Sequence, residues 1–177
     1  MIDRYLIPHL YLDDIYQISP AMLKVRGIRA IVADIDNTLV TYDDPEPTPS
    51  VLAWMKEMND AGISIAFVSN NGKNERVEIF NRNLGFYATA RSGKPFGRGV
   101  KKALAAMGVS PNEAVMLGDQ IFTDILAGSR LGMTTILVKP IKDRTDWFFR
   151  AKRKLEKPLL ARYARKNSTF GKEESHE

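Results

Sequence analysis

Apolar and polar positions along the chain follow two alternating patterns with different periods. Short apolar runs rich in β-branched residues predict buried strands, and they cover residues 28–33, 63–68, 86–90, 114–117 and 134–138. Between these runs, apolar residues recur at helical spacing and predict helices over 49–61, 74–84, 98–107 and 123–131. A strand followed by a helix, repeated along the chain, predicts an α/β fold with a central parallel sheet and helices on both faces.

The two ends of the chain lie outside this alternation. Residues 1–26 mix aromatic and apolar side chains with prolines, which predicts an irregular arm that packs on the core. Within the arm, Ser19 followed by Pro20 is typical of a helix N-terminus and predicts a short helix. We therefore expect four regions, which are the arm 1–26, the core 27–142, a basic amphipathic helical segment 143–166 and a disordered polar tail 167–177.

The first predicted strand of the core leads directly into two aspartates. Asp34 and Asp36 come at its end and are followed by Asn37 and Thr38. Open parallel sheets bind ligands at the carboxyl ends of their strands, which is where these residues should lie. Two neighbouring carboxylates repel each other unless a cation or a shared proton compensates. A local turn formed by Asp and Asn explains the same residues equally well, so this stretch alone leaves both interpretations open.

Three further strand ends are followed by polar residues. Ser69 and Asn70 follow the second strand, Lys94 lies in the loop after the third, and Asp119 follows the fourth, with Asp124 beyond it. Right-handed connections bring the carboxyl ends of parallel strands to one edge of the sheet. We therefore expect four aspartates, one lysine and one hydroxyl in a single crevice. Each residue alone is also typical of a turn, a solvated loop or a helix N-terminus, but their joint spacing favours a site.

Composition excludes some kinds of site and localises the positive charge. The 177 residues include no cysteine, which excludes disulfides, thiolate catalysis and cysteine-based zinc sites. No apolar run approaches the roughly 20 residues of a spanning helix, and the N-terminus lacks a signal-peptide pattern, so we expect a cytoplasmic protein. Residues 144–166 contain nine Lys or Arg and two acids, a net charge of +7, while the whole chain has +5. The positive charge is therefore concentrated near the C-terminus.

Taken together, the strand-end residues resemble the four motifs of the haloacid dehalogenase (HAD) superfamily. The positions similar to these motifs are, in chain order, Asp34-x-Asp36-x-Thr38, Ser69, Lys94 within Gly-Lys-Pro, and Gly118-Asp119-Gln120-x-x-Thr123-Asp124. They occur in the order of the superfamily over about residues 28–138. The resemblance implies a three-layer, Rossmann-like HAD fold around the parallel sheet.

The same resemblance implies a phosphatase that acts through an aspartyl-phosphate intermediate. Asp34 would be the nucleophile, and Asp36 would protonate the leaving oxygen and then deprotonate the attacking water. Lys94 would offset the charges of Asp34 and the phosphate. Phosphoryl oxygens are anionic and repel nucleophiles, so catalysis depends mostly on positioning and charge neutralisation. The implied substrate-binding residues are Thr38, Ser69, Asn70 and Lys94.

The resemblance also implies a magnesium site. Mg²⁺ prefers hard oxygen ligands in an octahedron, and the superfamily pattern assigns it to the carboxylates of Asp34 and Asp119 and the backbone carbonyl of Asp36. Asp124 would support the metal through water or by orienting Lys94.

The spacing of the motifs predicts that the site has no bulky cap domain, or only a minimal one. Ser69 follows Asp36 by 33 residues, and Lys94 follows Ser69 by 25. Predicted core strands and helices already fill both intervals. We therefore expect an open site beside the loop 40–49, which we call the flap. An open site suits a substrate that is too large to enclose or that is presented at a surface.

The basic segment 143–166 has three interpretations. Trp147, Phe148, Ala151 and Leu155 recur at helical spacing among lysines and arginines, which is typical of a helix at a membrane interface. The segment would equally suit a helix that packs its apolar side on the domain and leaves its basic residues in solvent. Nucleic-acid binding is a third use of such patches.

A finer resemblance favours the membrane interpretation. The apolar arm, the Asp34 motif, the missing cap and the basic C-terminal segment together resemble the YqeG family of bacterial phosphatases, within subfamily IIIA of the superfamily. That family is similar to the mitochondrial phosphatidylglycerophosphatase, which implies a phospholipid headgroup as substrate. It also implies peripheral contact with an anionic membrane at its inner face. The arm and the basic segment are less specific than the four motifs, so only the substrate depends on this step.

Three functions follow, in order of preference. The first is a Mg²⁺-dependent phosphomonoesterase with phosphatidylglycerophosphate as its leading substrate. The second is a phosphatase of soluble metabolites or nucleotides. The third is a protein- or RNA-binding module on the same fold, against which the paired Asp34 and Asp36 argue, because binding alone does not require clustered carboxylates. The oligomeric state does not follow from the sequence.

Overall fold

A parallel six-stranded sheet forms the centre of the computed structural model, which describes residues 3–142, 151 and 154–165. The strands are β1 (Leu10–Leu12), β2 (Ala30–Ala33), β3 (Ser64–Val68), β4 (Tyr87–Thr89), β5 (Ala114–Gly118) and β6 (Thr134–Val138). Their order is β1-β6-β5-β2-β3-β4, and every neighbouring pair is parallel. From β2 the chain continues to one side through β3 and returns on the other side at β5. The carboxyl end of β2 is therefore a topological switch point, where such sheets bind ligands.

Helices cover both faces of this sheet, as the alternation predicts. They are α1 (Asp3–Leu6), α2 (Pro20–Lys24), α3 (Pro49–Asp60), α4 (Asn74–Asn81), α5 (Arg98–Met107), α6 (Leu126–Arg130) and α7 (154–165), and a π-helical turn, Ile121–Ile125, leads into α6. Ser19 and Thr48 accept hydrogen bonds from backbone amides in the first turns of α2 and α3, each followed by a proline. The three-layer α/β fold is thus confirmed.

Alternate residues of β2 supply the cores on the two faces of the sheet. Ile31 and Ala33 pack in a cluster with residues of α2, α3 and α4. Ala30 and Val32 pack on the opposite face with residues of α5 and α6. All four side chains are fully buried, which explains the continuous apolar run in the sequence. The buried strand provides a rigid support for the two aspartates that follow it.

The N-terminal arm is more regular than its sequence suggests. Leu10–Leu12 forms the edge strand β1 and pairs in parallel with β6, so that Leu10 lies opposite Ile136. His9 directly precedes β1, and its Nδ1 accepts a hydrogen bond from the backbone amide of Thr135 at 3.1 Å. The expectation of an irregular arm is therefore wrong for these residues. A three-residue strand whose partner lies more than 120 residues later has no local signal in the sequence.

The part of the basic segment that is described forms α7 and packs on the domain. Leu159 is buried in a small cluster with Ile121 and Leu137, and the hydroxyl of Tyr163 accepts a hydrogen bond from the amide of Tyr11 at 3.0 Å. Lys154, Leu155, Lys157 and Arg162 have exposed side chains. The predicted aromatics at 147 and 148 and the predicted tail 167–177 lie outside the described residues.

The intervals between the predicted motifs contain core elements and the flap. Residues 36–69 contain the flap, α3 and β3, and residues 69–94 contain α4 and β4. Within these two described intervals there is no cap domain, as the spacing predicts. In the described part of the chain, no helix has the length and apolar character needed to cross a membrane.

Candidate active site

Asp34 and Asp36 lie at the carboxyl end of β2, in the turn that leads to the flap. The amide of Asp34 donates to the carbonyl of Leu117 in β5 at 2.9 Å, which extends the strand pairing by one residue. Asn37 then has a positive φ of 68°, a left-handed conformation that Asn tolerates better than most residues. Its amide donates to the carbonyl of Val40 at 2.6 Å and closes the turn. The local sequence therefore turns the chain immediately after the two aspartates.

Lys94 is the buried cation between two of the predicted carboxylates. Its Nζ lies 2.6 Å from Oδ1 of Asp34 and 2.8 Å from Oδ1 of Asp124. It also donates to the carbonyl of Val68, at the end of β3, at 2.8 Å. Three oxygens therefore surround the ammonium group, and only 2% of the Lys94 side chain is exposed. The loop after β4 and the ends of β2 and β3 thus meet at one ammonium group.

Asn70 holds the loop that carries Lys94. Its Oδ1 accepts hydrogen bonds from the Lys94 amide and the Ser92 hydroxyl, both at 2.9 Å, and its Nδ2 donates to the Lys94 carbonyl at 2.9 Å. The side chain of Asn70 therefore supports the lysine loop. Its predicted contact with a phosphoryl group depends on the backbone amide.

The two hydroxyls predicted to bind substrate are both buried at this edge. Oγ of Ser69 accepts a hydrogen bond from the amide of Asn71 at 3.0 Å, so its own hydrogen does not take part in that bond. The hydroxyl of Thr38 has no hydrogen-bond partner among the described residues. Since an unsatisfied buried hydroxyl is costly, Thr38 is a candidate for a contact that a ligand would complete.

Asp119 and Asp124 complete a buried acidic cluster with Asp34. One carboxylate oxygen from each of the three residues lies within 4.8 Å of the other two. Asp124 lies in the π-helical turn Ile121–Ile125 that follows β5, and the amide of Gln120 donates to its Oδ2 at 3.1 Å. Gly118 makes this approach possible, because a Cβ at that position would lie 2.3 Å from the Asp124 carboxyl carbon. Three close carboxylate oxygens are suited to a divalent cation.

Asp36 lies near this cluster but has different partners. Oδ1 of Asp36 accepts a hydrogen bond from Nε of Arg76 in α4 at 3.2 Å and forms an ion pair with its NH2 at 3.1 Å. Oδ2 accepts a hydrogen bond from Asn71 at 3.3 Å. Neither partner could be recognised from the sequence. An arginine within a helix and an asparagine within a turn are common residues, and only the folded chain brings them to Asp36.

Burial and neighbouring charges shift the protonation of the central pair. Burial raises the pKa of Asp34 to about 7, against the opposing effect of Lys94. Burial alone would lower the pKa of Lys94, but the carboxylates of Asp124 and Asp34 raise it above its usual value. Lys94 is therefore a permanent cation, and without a metal Asp34 changes protonation near neutral pH.

Two cavities lie apart from the acidic cluster. One of about 560 Å³ lies between α4 and β4 and is lined by residues such as Val77 and Thr89. Another of about 380 Å³ lies on the side of the flap that faces Ile15 and Ile141. Neither is lined by Asp34, Asp119 or Lys94. The candidate site is therefore identified by its charged groups and not by cavity size.

The chain is similar to known proteins over most of its length. A family profile for haloacid dehalogenase-like hydrolases matches residues 10–132. The chain is 36% identical to the probable phosphatase YqeG of Bacillus subtilis over 166 residues, which are 94% of this chain and 96% of that protein. It is 28% identical to the chloroplastic/mitochondrial phosphatidylglycerophosphate phosphatase 1 of Arabidopsis thaliana over 92% of this chain, and the match spans 49% of that protein.

Solved structures support the fold. A HAD phosphatase from Thermococcus onnurineus matches with a TM-score of 0.55 at 16% identity, covering 66% of this chain and 89% of that one. A deoxy-D-mannose-octulosonate 8-phosphate phosphatase from Haemophilus influenzae matches with a TM-score of 0.51 at 14% identity, covering 80% and 92%. At such identities the likeness concerns the fold alone.

The electrostatic role of Lys94 can be tested by Lys94→Met. Without the cation, Asp34 and Asp124 remain buried without their counter-charge, which should cost about 3–5 kcal/mol of unfolding free energy at pH 8. Removing Lys94 should raise the pKa of Asp34 in the folded protein even further above its value in the unfolded chain. At pH 5.5 the carboxyl is then protonated, so the loss of unfolding free energy should be smaller than at pH 8. Urea unfolding at both pH values, in EDTA, measures the difference.

Lys101→Met is the matched control, since Lys101 is an exposed lysine on α5. It should change the free energy of unfolding by less than about 0.5 kcal/mol at either pH. An equal loss at pH 5.5 and pH 8 in Lys94→Met would contradict a charge-based role and would indicate lost packing instead.

Proposed function

The chain belongs to the haloacid dehalogenase-like hydrolase family, and we propose that it is a Mg²⁺-dependent phosphomonoesterase that acts through an aspartyl-phosphate on Asp34. The observation that supports this most strongly is the contact of a buried lysine with Asp34 inside an acidic cluster. An aspartate that attacks phosphorus needs a neutralised environment, because its target carries negative charge. Lys94 supplies one positive charge at 2.6 Å from the attacking group.

In the first half-reaction, a carboxylate oxygen of Asp34 forms a bond to phosphorus while the bond from phosphorus to the ester oxygen breaks. Asp36, two residues further along the turn, gives its proton to that leaving oxygen. In the second half-reaction Asp36 takes a proton from water, and the water oxygen attacks the phosphorus. The bond from phosphorus to the Asp34 oxygen breaks, inorganic phosphate leaves, and Asp34 returns to its carboxylate form.

Charge counting supports a divalent cation at this site. Three carboxylates and one ammonium leave a net charge of −2 in the buried cluster when all are ionised. Asp34 and Asp119 would hold Mg²⁺, with the backbone carbonyl of Asp36, and Asp124 would act mainly by orienting Lys94. A bound Mg²⁺ would offset charge on the phosphoryl oxygens. It would also favour ionised Asp34, whose pKa is otherwise about 7.

The phosphoryl group would lie among donors at the same edge of the sheet. The hydroxyl of Thr38, the hydroxyl of Ser69 and the backbone amide of Asn70 are the proposed donors, with Lys94 close by. Backbone and hydroxyl donors held by strand ends need little reorganisation when charge develops during the reaction.

For the substrate we propose phosphatidylglycerophosphate, at the surface of an anionic membrane. The named activity of the Arabidopsis relative supports this choice, and so does the absence of a cap within residues 36–94. The described part of α7 adds exposed Lys154 and Lys157 beside Leu155, 64% of which is exposed. Each basic residue near an anionic leaflet contributes about 1 kcal/mol to binding.

The nucleophile is tested by Asp34→Asn. Turnover of an aryl phosphate in excess Mg²⁺ should fall by at least about a thousandfold, because an amide cannot form the covalent intermediate. Asp60→Asn is the control, since Asp60 is an exposed aspartate of α3, and it should retain full activity. Urea unfolding should show that both variants remain folded. Substantial turnover by folded Asp34→Asn would contradict the proposal.

The substrate is tested by phosphate release from phosphatidylglycerophosphate in anionic vesicles, beside a panel of soluble phosphates. We expect the lipid to have the highest kcat/KM. Lys154→Gln with Lys157→Gln should lower that value by about tenfold or more, because roughly 2 kcal/mol of surface attraction is lost. Turnover of soluble aryl phosphate should not change.

Lys24→Gln with Lys56→Gln is the matched pair, because both lysines are exposed on the opposite face of the sheet from α7. This control should have little effect on lipid turnover. A higher kcat/KM for a soluble metabolite or nucleotide than for the lipid would favour the second hypothesis, a phosphatase of soluble compounds.

A further inference from the structure

Arg76 is the residue that connects Asp36 to the flap. Besides its two contacts with Oδ1 of Asp36, its NH1 donates to the carbonyl of Pro45 at 2.8 Å and its NH2 to the carbonyl of Thr41 at 3.3 Å. Only 12% of the side chain is exposed. All three guanidinium nitrogens are therefore bound at fixed positions, which distinguishes Arg76 from a solvated helix arginine.

A buried aromatic residue packs against the guanidinium of Arg76. Arg76 lies over the ring of Phe80, with its Cζ 6.0 Å from the ring centroid. Phe80 is fully buried and packs edge-on against Phe67 of β3, at a centroid distance of 5.2 Å. A continuous series of contacts thus runs from the central sheet through α4 to the carboxylate of Asp36.

The flap presents its carbonyls to Arg76 through a turn of its own. The hydroxyl of Thr41 donates to Oδ2 of Asp44 at 2.6 Å, and the amide of Thr41 donates to the same oxygen at 3.2 Å. Within this turn, the Asp43 carboxylate forms an ion pair with Lys142 at 2.7 Å. The flap is therefore ordered by its own contacts, and Arg76 fastens it to the site.

We propose that Arg76 is a positioning residue that fixes the carboxyl group of Asp36 toward the leaving oxygen and closes the flap around it. This inference rests on the proposed function, because it assigns a role within the leaving-group step. The two nitrogens on Oδ1 and Asn71 on Oδ2 leave the Asp36 side chain little rotational freedom. Because proton transfer requires hydrogen-bond reach in a defined direction, loss of this orientation slows departure of the ester oxygen.

The role predicts a dependence on the leaving group. An aryl oxide leaves readily without a proton, whereas an alkoxide requires one, so a misplaced acid affects alkyl esters far more. General acid–base catalysis typically contributes about 10²- to 10⁴-fold. Arg76→Gln should therefore lower kcat for glycerol 3-phosphate at least about tenfold more than kcat for p-nitrophenyl phosphate. The effect of Arg76→Lys should lie between the wild-type protein and Arg76→Gln, since an ammonium can replace one contact but not the several contacts of a planar guanidinium.

Limited proteolysis provides a readout that does not depend on activity. Tyr42 is an exposed aromatic residue of the flap, and chymotrypsin cleaves after tyrosine. If Arg76 fastens the flap, Arg76→Gln should accelerate cleavage at Tyr42 several-fold. Arg82→Gln is the matched control, because Arg82 is an exposed arginine that follows α4, and it should change neither the cleavage rate nor the ratio of the two kcat values.

The outcomes distinguish this inference from the proposed function. An equal fall in kcat for both esters in Arg76→Gln, or unchanged cleavage at Tyr42, would overturn the positioning role while the wild-type protein remains a phosphatase. Wild-type protein with no activity on either ester would instead overturn the proposed function and, with it, the role of Arg76 in the leaving-group step.

Discussion

The arrangement of the site depends on the buried ammonium of Lys94. Carboxylates brought this close in a protein interior repel each other and lose hydration, which is unfavourable without a cation. Lys94 lies within 2.8 Å of both Asp34 and Asp124 and donates a hydrogen bond to the carbonyl of Val68. Two neighbouring residues make this arrangement possible. Asn70 fixes the loop of the lysine, and Gly118 leaves room for Asp124.

The remaining acid is kept separate from that cluster. Asp34, Asp119 and Asp124 share the buried cluster and its charge balance, whereas Asp36 pairs with Arg76 and Asn71 on the side of the flap. Two carboxylates two residues apart therefore have different surroundings. In the proposed reaction Asp34 attacks phosphorus beside Lys94, and Asp36 moves protons on the side of the flap.

Much of the fold and of the candidate site could be predicted from the sequence. Asp34 and Asp119 follow buried parallel strands and Lys94 follows the half-buried edge strand β4. Right-handed connections dictate the edge where those strands end. Strand β1 could not be predicted, because Leu10–Leu12 is short and its partner lies at the far end of the sequence. The role of Arg76 was equally hidden, since its partners are a turn carboxylate and two flap carbonyls. Such contacts depend on the conformation of a loop, for which the sequence pattern has no period.

The proposed mechanism requires that Asp34 carries the phosphoryl group during turnover. The most direct measurement is acid quenching during turnover of a phosphomonoester in Mg²⁺, followed by proteolysis at low pH and mass spectrometry of the peptide containing residues 28–40. Acyl phosphates survive acid long enough to be detected. We expect the mass of one phosphoryl group on Asp34 in the wild-type protein and none in Asp34→Asn. A phosphoryl group on another residue, or rapid turnover with no phosphorylated peptide, would contradict it.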